Sequence, residues 1–193
     1  MSRRLRPAVV AALLLTTALA GCRSTDPTPE AGATGTSGSS ARVAGTVPGA
    51  TATRSILPGF EQVTVRVTAA DGTVRTWCLL LARTEAQRQR GLMEVADPDL
   101  GGHAGMLFTF DEDVLVGFWM RDTVLPLSIA YLGADGRTVS TADMAPCPAG
   151  SASCPTYAPT GRYRSAIEVP QGRLPDLGIG EGSRVEVVGP GCA

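Results

Sequence analysis

The clearest signal in the chain is alternation that switches to unbroken apolar runs. VTVRVTA (63–69) alternates apolar and polar residues, the period of a half-buried strand. Asp71-Gly72 follows as a hairpin turn, and TVRTWCLLLA (73–82) reads as the return strand, with Trp77, Leu79 and Leu81 on one face. Thr84-Glu85-Ala86-Gln87 then has the form of a capping box: the Thr84 hydroxyl accepts from the N3 amide and Gln87 reaches back. The pattern predicts a helix of about two turns, ended by Gly91, before Leu92 and Met93 re-enter the core.

After a polar loop with Pro98, Gly101 and Gly102, GMLFTF (105–110) and VGFWM (116–120) read as strands around an acidic turn, Asp111-Glu112-Asp113. LPLSIAYL (125–132) is a long apolar run broken only by Ser128, suited to a central strand covered on both faces. Asp135-Gly136 turns it into RTVSTADM, and YRSAIEVP (163–170) reads as a further strand. RLPDLGIGEG (173–182) suggests a short turn or helix, and SRVEVVG closes the sheet. Short strands, tight turns and one short α-helix predict a mainly β domain, an antiparallel β-sandwich or partly closed β-barrel.

The N-terminus follows different rules. Arg3, Arg4 and Arg6 precede an apolar run from Ala8 to Ala20, too short to span a bilayer, which ends in Leu19-Ala20-Gly21-Cys22. This is the pattern of a lipoprotein signal peptide (1–21), cleaved before Cys22 so that the thiol carries diacylglycerol. Two acyl chains meet the requirement for stable anchoring to a membrane. Residues 22–55 then form a Gly/Ser/Thr/Pro linker, too poor in apolar surface to fold. As a flexible coil of about 33 residues it spans roughly 30 Å. The expected layout is a β domain at 56–193, tethered to the outer, extracytoplasmic face of the cell membrane.

The address sets the cysteine arithmetic. Cys78, Cys147, Cys154 and Cys192 remain, an even number in an oxidising compartment. Cys147 and Cys154 bracket a small loop, CPAGSASC, which favours that pair and leaves Cys78 to Cys192. A formal net charge of −1, with 17 scattered basic residues that are all Arg, gives no reason to expect nucleic acid. The chain has no glycine-rich phosphate loop and no Ser-His-Asp order.

FWMRDTVLPLSI (118–129) sets three polar residues between two apolar segments. As a site, Arg121, Asp122 and Thr123 would stand at the mouth of a small-ligand pocket floored by Trp119 and Met120 and walled by Tyr157. Arg121 could bind a carboxylate or phosphate in a fork, and Trp119 or Tyr157 could stack on a flat ligand. As scaffold, the same residues form a turn whose side chains bond local backbone. Met93, Met106, Met120 and Met144, with His103 and Cys147, raise the possibility of a copper(I) site, although methionine fills core gaps more often than it ligates. The other acid candidates are weak. The cluster at 111–113 reads as a solvated turn, and Glu168, alternating with Ile167 and Val169, is expected to point outward. No carboxylate pair fixes acid and base roles, and no cofactor is implied.

GLM (91–93), GMLFTF, FWMRDTVLPLSIAYL (118–132), MAPC (144–147), AIEVPQG (166–172) and LGIGEGSRVEV (177–187) together resemble the domain of unknown function 192 family, from about Val63 to Val188. The resemblance implies a small, mostly β domain with one short helix, often exported or lipid-anchored, and no established activity. Where that family usually has Lys-Asn after FWM, this chain has Arg121-Asp122; after GLM, Glu94-Val95 replaces a bulky residue and an Arg. The expected function is an uncharacterised lipid-anchored envelope protein, a non-catalytic domain for a small ligand or an envelope protein. A cell-envelope hydrolase and a copper-handling lipoprotein are the alternatives.

Overall fold

The computed structural model describes residues 57–192. The signal segment, Cys22 and the linker up to residue 55 lie outside the described residues. Nine strands and two short α-helices follow in the order β1 (Glu61–Thr68), β2 (Val74–Ala82), α1 (Glu85–Arg90), β3 (Met106–Val114), β4 (Phe118–Trp119), β5 (Leu127–Leu132), β6 (Thr138–Met144), β7 (Thr156–Tyr157), β8 (Tyr163–Pro170), α2 (Leu174–Leu177) and β9 (Arg184–Pro190), with a 3-10 turn at Leu100–Gly102 before β3.

Seven strands form one sheet in the order β6-β5-β8-β3-β2-β1-β9, and β4 pairs with β7 in a small second sheet. The fold is mainly β and sandwich-like, and the large sheet is not closed into a barrel. Its edges β6 and β9 approach at a single bridge, Arg137 to Arg184. The sheet is mixed, because β2 and β3 run parallel, with Leu80 opposite Met106. A parallel pair needs a crossover. Here α1 and the glycine-containing loop after it supply that crossover, which hairpin signals alone could not reveal.

Local chemistry accounts for the elements. Thr84 accepts from Gln87 N at 3.2 Å, and Gln87 Oε1 accepts from Thr84 N at 2.9 Å, so the capping box forms as read. Gly91 ends α1 at φ 47°, with its N–H on Gln87 O. The acidic cluster is not a free turn: it lies within β3, where the register against β8 breaks between Thr109 and Val114. There Asp113 pairs with Arg164 at 2.9 Å.

Alternation sorts the core into two faces. One face holds Leu80, Ala82, Met106, Phe108, Ile129, Tyr131 and Ala166. The other holds Leu79, Leu81, Leu107, Ala130, Leu132, Ile167 and Val169, covered by Leu174, Leu177 and Ile179 around α2. Strand β5 is buried at every position, in keeping with a sequence that is apolar except at Ser128. The first face is capped by the small sheet, where Phe118 meets Phe108 edge-on at 5.0 Å and Tyr131 at 5.9 Å. The buried tyrosines hold this layer by their hydroxyls: Tyr131 donates to Tyr157 O at 2.6 Å and Tyr163 to Val116 O at 2.9 Å.

The four remaining cysteines stand in disulfide geometry. Cys78 meets Cys192 with Cα atoms 5.5 Å apart, and Cys147 meets Cys154 at 5.8 Å.

The contact between the sheet edges depends on Gly136, which has φ +78° and whose added Cβ would fall 2.1 Å from Val185 O. Gly136→Val should therefore destabilise the domain by on the order of 1–3 kcal/mol. Urea denaturation of the full chain measures this, and a wild-type midpoint would contradict the assigned edge contact.

Candidate functional site

Arg121, Asp122 and Thr123 form a tight turn, closed by Thr123 N donating to Met120 O at 3.0 Å. Asp122 is left-handed at φ 55°. Asp and Asn tolerate that conformation better than most residues, which gives a backbone reason for either amino acid at this position. The Asp122 carbonyl accepts from Glu94 N at 2.8 Å, and Glu94 is itself left-handed at φ 60°. Two non-glycine residues in a costly conformation thus lock the segment after α1 to the turn after β4. Cys147 bridges to both Arg121 and Thr123, which seats the disulfide loop against the turn.

The side chains divide. Arg121 is exposed, 3.8 Å from the Asp122 carboxylate, with its guanidinium 5.9 Å from the Trp119 ring centroid. Thr123 is buried, and its hydroxyl donates to Arg121 O at 3.2 Å. Met120 is fully buried in the core, and Trp119 is half exposed. Tyr157 stands opposite Phe118 in the small sheet, its hydroxyl accepting from Ala145 N at 2.9 Å. Trp119, Arg121 and Asp122 line a shallow cavity of about 240 Å³ with the Cys147–Cys154 loop.

A second, narrower cavity lies on the other side of Trp119. It is a slot of about 30 Å³ between the segment after α1 and the FWM turn, lined by Met93, Phe108, Phe118, Trp119, Thr123 and Glu168 among others. Glu168 does not point outward. Strand β8 is covered on both faces, so alternation along it chooses between two buried layers, not between core and solvent. Glu168 sits opposite Met106 and Ile129 and is only 4% exposed. Its carboxyl has no hydrogen-bonding or ionic partner among the described residues, which include no polar side-chain atom both sealed and unsatisfied. The unpartnered oxygens therefore open to the slot. Burial alone pushes the carboxyl up to about 8. Next to it, burial pushes the Tyr131 phenol up to about 12, with a smaller contribution from Glu168.

The other soft donors of the methionine set are already engaged. Cys147 stands in disulfide geometry, and both ring nitrogens of His103 are engaged, by Leu100 O at 2.9 Å and Gln62 Oε1 at 3.2 Å. Met106, Met120 and Met144 fill the apolar core, and Met93 lines the slot, whereas His103 lines a different cavity. Glu168 is the residue that sequence reasoning misplaced. Its signal was present: AIEV sets one acid inside an apolar run, against a neighbouring strand that is apolar except at Ser128.

The folded-state titration of Glu168 lies above the unfolded value of 4.5. The folded form therefore holds a proton that the unfolded form has released, and stability falls as pH rises toward 8. Between about pH 5 and pH 8, wild type should lose stability relative to Glu168→Gln by on the order of 1 kcal/mol per pH unit. Urea midpoints of both proteins across that range give the answer, and parallel curves would show that Glu168 is not held protonated by burial.

The FWM, GLM and AIEV segments that meet at the slot all fall within residues 66–187, the span matched by the DUF192 family model, described as uncharacterized ACR. Solved structures similar to this chain include the following two. A candidate transcription regulator from Sinorhizobium meliloti 1021 is 29% identical, with a TM-score of 0.55 over 66% of this chain and 95% of that one. A protein of unknown function from Novosphingobium aromaticivorans DSM 12444 is 32% identical, with a TM-score of 0.56 over 69% of this chain and 91% of that one. Among functionally curated proteins, none matches. With the family model covering most of the chain and motif segments meeting at one slot, the chain belongs to the domain of unknown function 192 family.

Proposed function

We propose that this chain is a lipid-anchored envelope protein whose β domain binds a small ligand in the slot beside the FWM turn, without performing chemistry on it. The observation that carries the reading is the Glu168 carboxyl, buried, unpartnered and open to a cavity. An unsatisfied buried polar group is costly unless a ligand or water completes it. The strained Glu94–Asp122 contact holds the two sides of the slot at a set distance, the kind of pre-organisation that binding sites use. The placement outside the cell rests on the signal pattern and Cys22, and the disulfide geometry of the remaining cysteines agrees with an oxidising compartment. The chain's net charge of −1 gives no reason to expect nucleic acid.

A second reading, a cell-envelope hydrolase, is favoured by one feature: an acid held protonated near neutral pH could act as a general acid. That chemistry needs a second carboxylate or another base. Glu168 is the one carboxyl among the residues lining the slot.

Thermal denaturation of the full chain against a panel of small amines, carboxylates, phosphates and sugars tests the binding reading. At least one compound should raise Tm in wild type and not in Met93→Trp, which fills the slot. A panel with no such compound would sink the reading. Anchoring is tested separately: Cys22→Ser should move the protein from the membrane fraction to the soluble extracytoplasmic fraction, and a variant that stays membrane-bound would rule out the lipid anchor.

A further inference from the structure

We infer that the slot takes a primary ammonium group carried on an unbranched aliphatic arm, with Glu168 as its counter-ion. This rests on the slot being a binding site and goes on to name the chemistry that fits it. Three features select that group. The first is size. A cavity of about 30 Å³ has room for only about two water-sized groups. A methylene ending in –NH3+ fits; a planar guanidinium, a sugar ring or a phosphate does not. The second is the wall. Phe118, Trp119 and Met93 offer apolar surface to an alkyl arm, and the aromatic faces attract a cation. The third is the acceptor set. An ammonium has three N–H donors and no acceptor. Glu168 has two oxygens with no partner among the described residues. The Thr123 hydroxyl, already donating to Arg121 O, keeps its lone pairs to accept a third bond.

The charged and titratable groups around Glu168 are few. Tyr131 on β5 is held protonated by burial, and Met106 on β3 is apolar. Arg88 and Arg90 of α1 line the slot, and both are tied to backbone carbonyls: Arg88 to Thr109 O at 2.9 Å, Arg90 to Pro58 O at 2.6 Å. Among the described residues neither guanidinium forms an ion pair with Glu168. An arriving ammonium would expel the carboxyl proton and take its place as the positive partner. Binding is then coupled to release of about one proton, and affinity rises about tenfold per pH unit below the titration of Glu168.

Isothermal titration calorimetry of the full chain with n-pentylamine, pentanol and pentanoate tests this. Repeating the n-pentylamine titration in buffers of different ionisation enthalpy reads the proton. Expected are binding of n-pentylamine alone, about one proton released near pH 7, and at least tenfold weaker binding in Glu168→Gln. Were the Gln variant not to fold, the proton count and pH slope of wild type would still decide. Amine binding without proton release, or undiminished in Glu168→Gln, overturns the assignment. If pentanol or pentanoate binds in a Met93→Trp-sensitive way and n-pentylamine does not, the slot is a binding site for a different chemistry. If no panel compound binds in that way, the binding reading itself fails.

Discussion

Double coverage of strands β3, β8 and β5 is the constraint on which the rest of this domain depends. A strand with solvent on one side can hold an acid at every second position without cost. A strand covered on both sides cannot, and each polar residue there must be satisfied or accommodated. Ser128 is satisfied, bonded to the Asp143 carboxylate and accepting from Gly172 N. Glu168 is accommodated by a narrow opening between the segment after α1 and the FWM turn. The aromatic layer of Phe118, Tyr131 and Tyr163 lies over the sheet there, with one tyrosine hydroxyl bonded to Tyr157 O of the small sheet and the other to Val116 O, just before β4.

How much of this was legible depended on range. Features governed by neighbours in sequence were readable: the capping box at Thr84, the turns at Asp71-Gly72 and Asp135-Gly136, the core run of β5 and the short disulfide loop. The parallel β2–β3 pair was not, because it follows from where the α1 crossover returns the chain. Nor was the fate of Asp111-Glu112-Asp113, whose place in β3 is set by pairing near Arg164. Glu168 failed for a related reason. Period-two alternation tells which residues share a face, but only the layer stacked on a face tells whether it is wet.

The Arg121-Asp122-Thr123 turn sits between the scaffold and site readings. Its backbone is scaffold: a closed turn, a left-handed aspartate and a bond to Glu94 N. Its Arg and Asp side chains pair with each other at the surface. What the turn contributes to the slot is position, because it places Trp119 on one side and Thr123 at the inner end. The Asp122 side chain lies at the rim, lining the shallow cavity and not the slot, so it sets charge and hydrogen bonding outside the slot. Variation at this position can therefore tune what approaches the opening without redesigning what fits inside it.

The bond between Cys78 and Cys192 has a mechanical consequence. Strand β1 lies between β2, which carries Cys78, and β9, which runs up to Cys192, so the staple straddles the last three strands on that side of the sheet. Fraying from that border is confined within a closed covalent loop. The opposite border has no such clasp: β6 is retained by its ladder to β5 and by the bridge at Arg137. The two borders should therefore breathe at different rates, and a protease meeting the folded domain finds its first cleavable segment at β6.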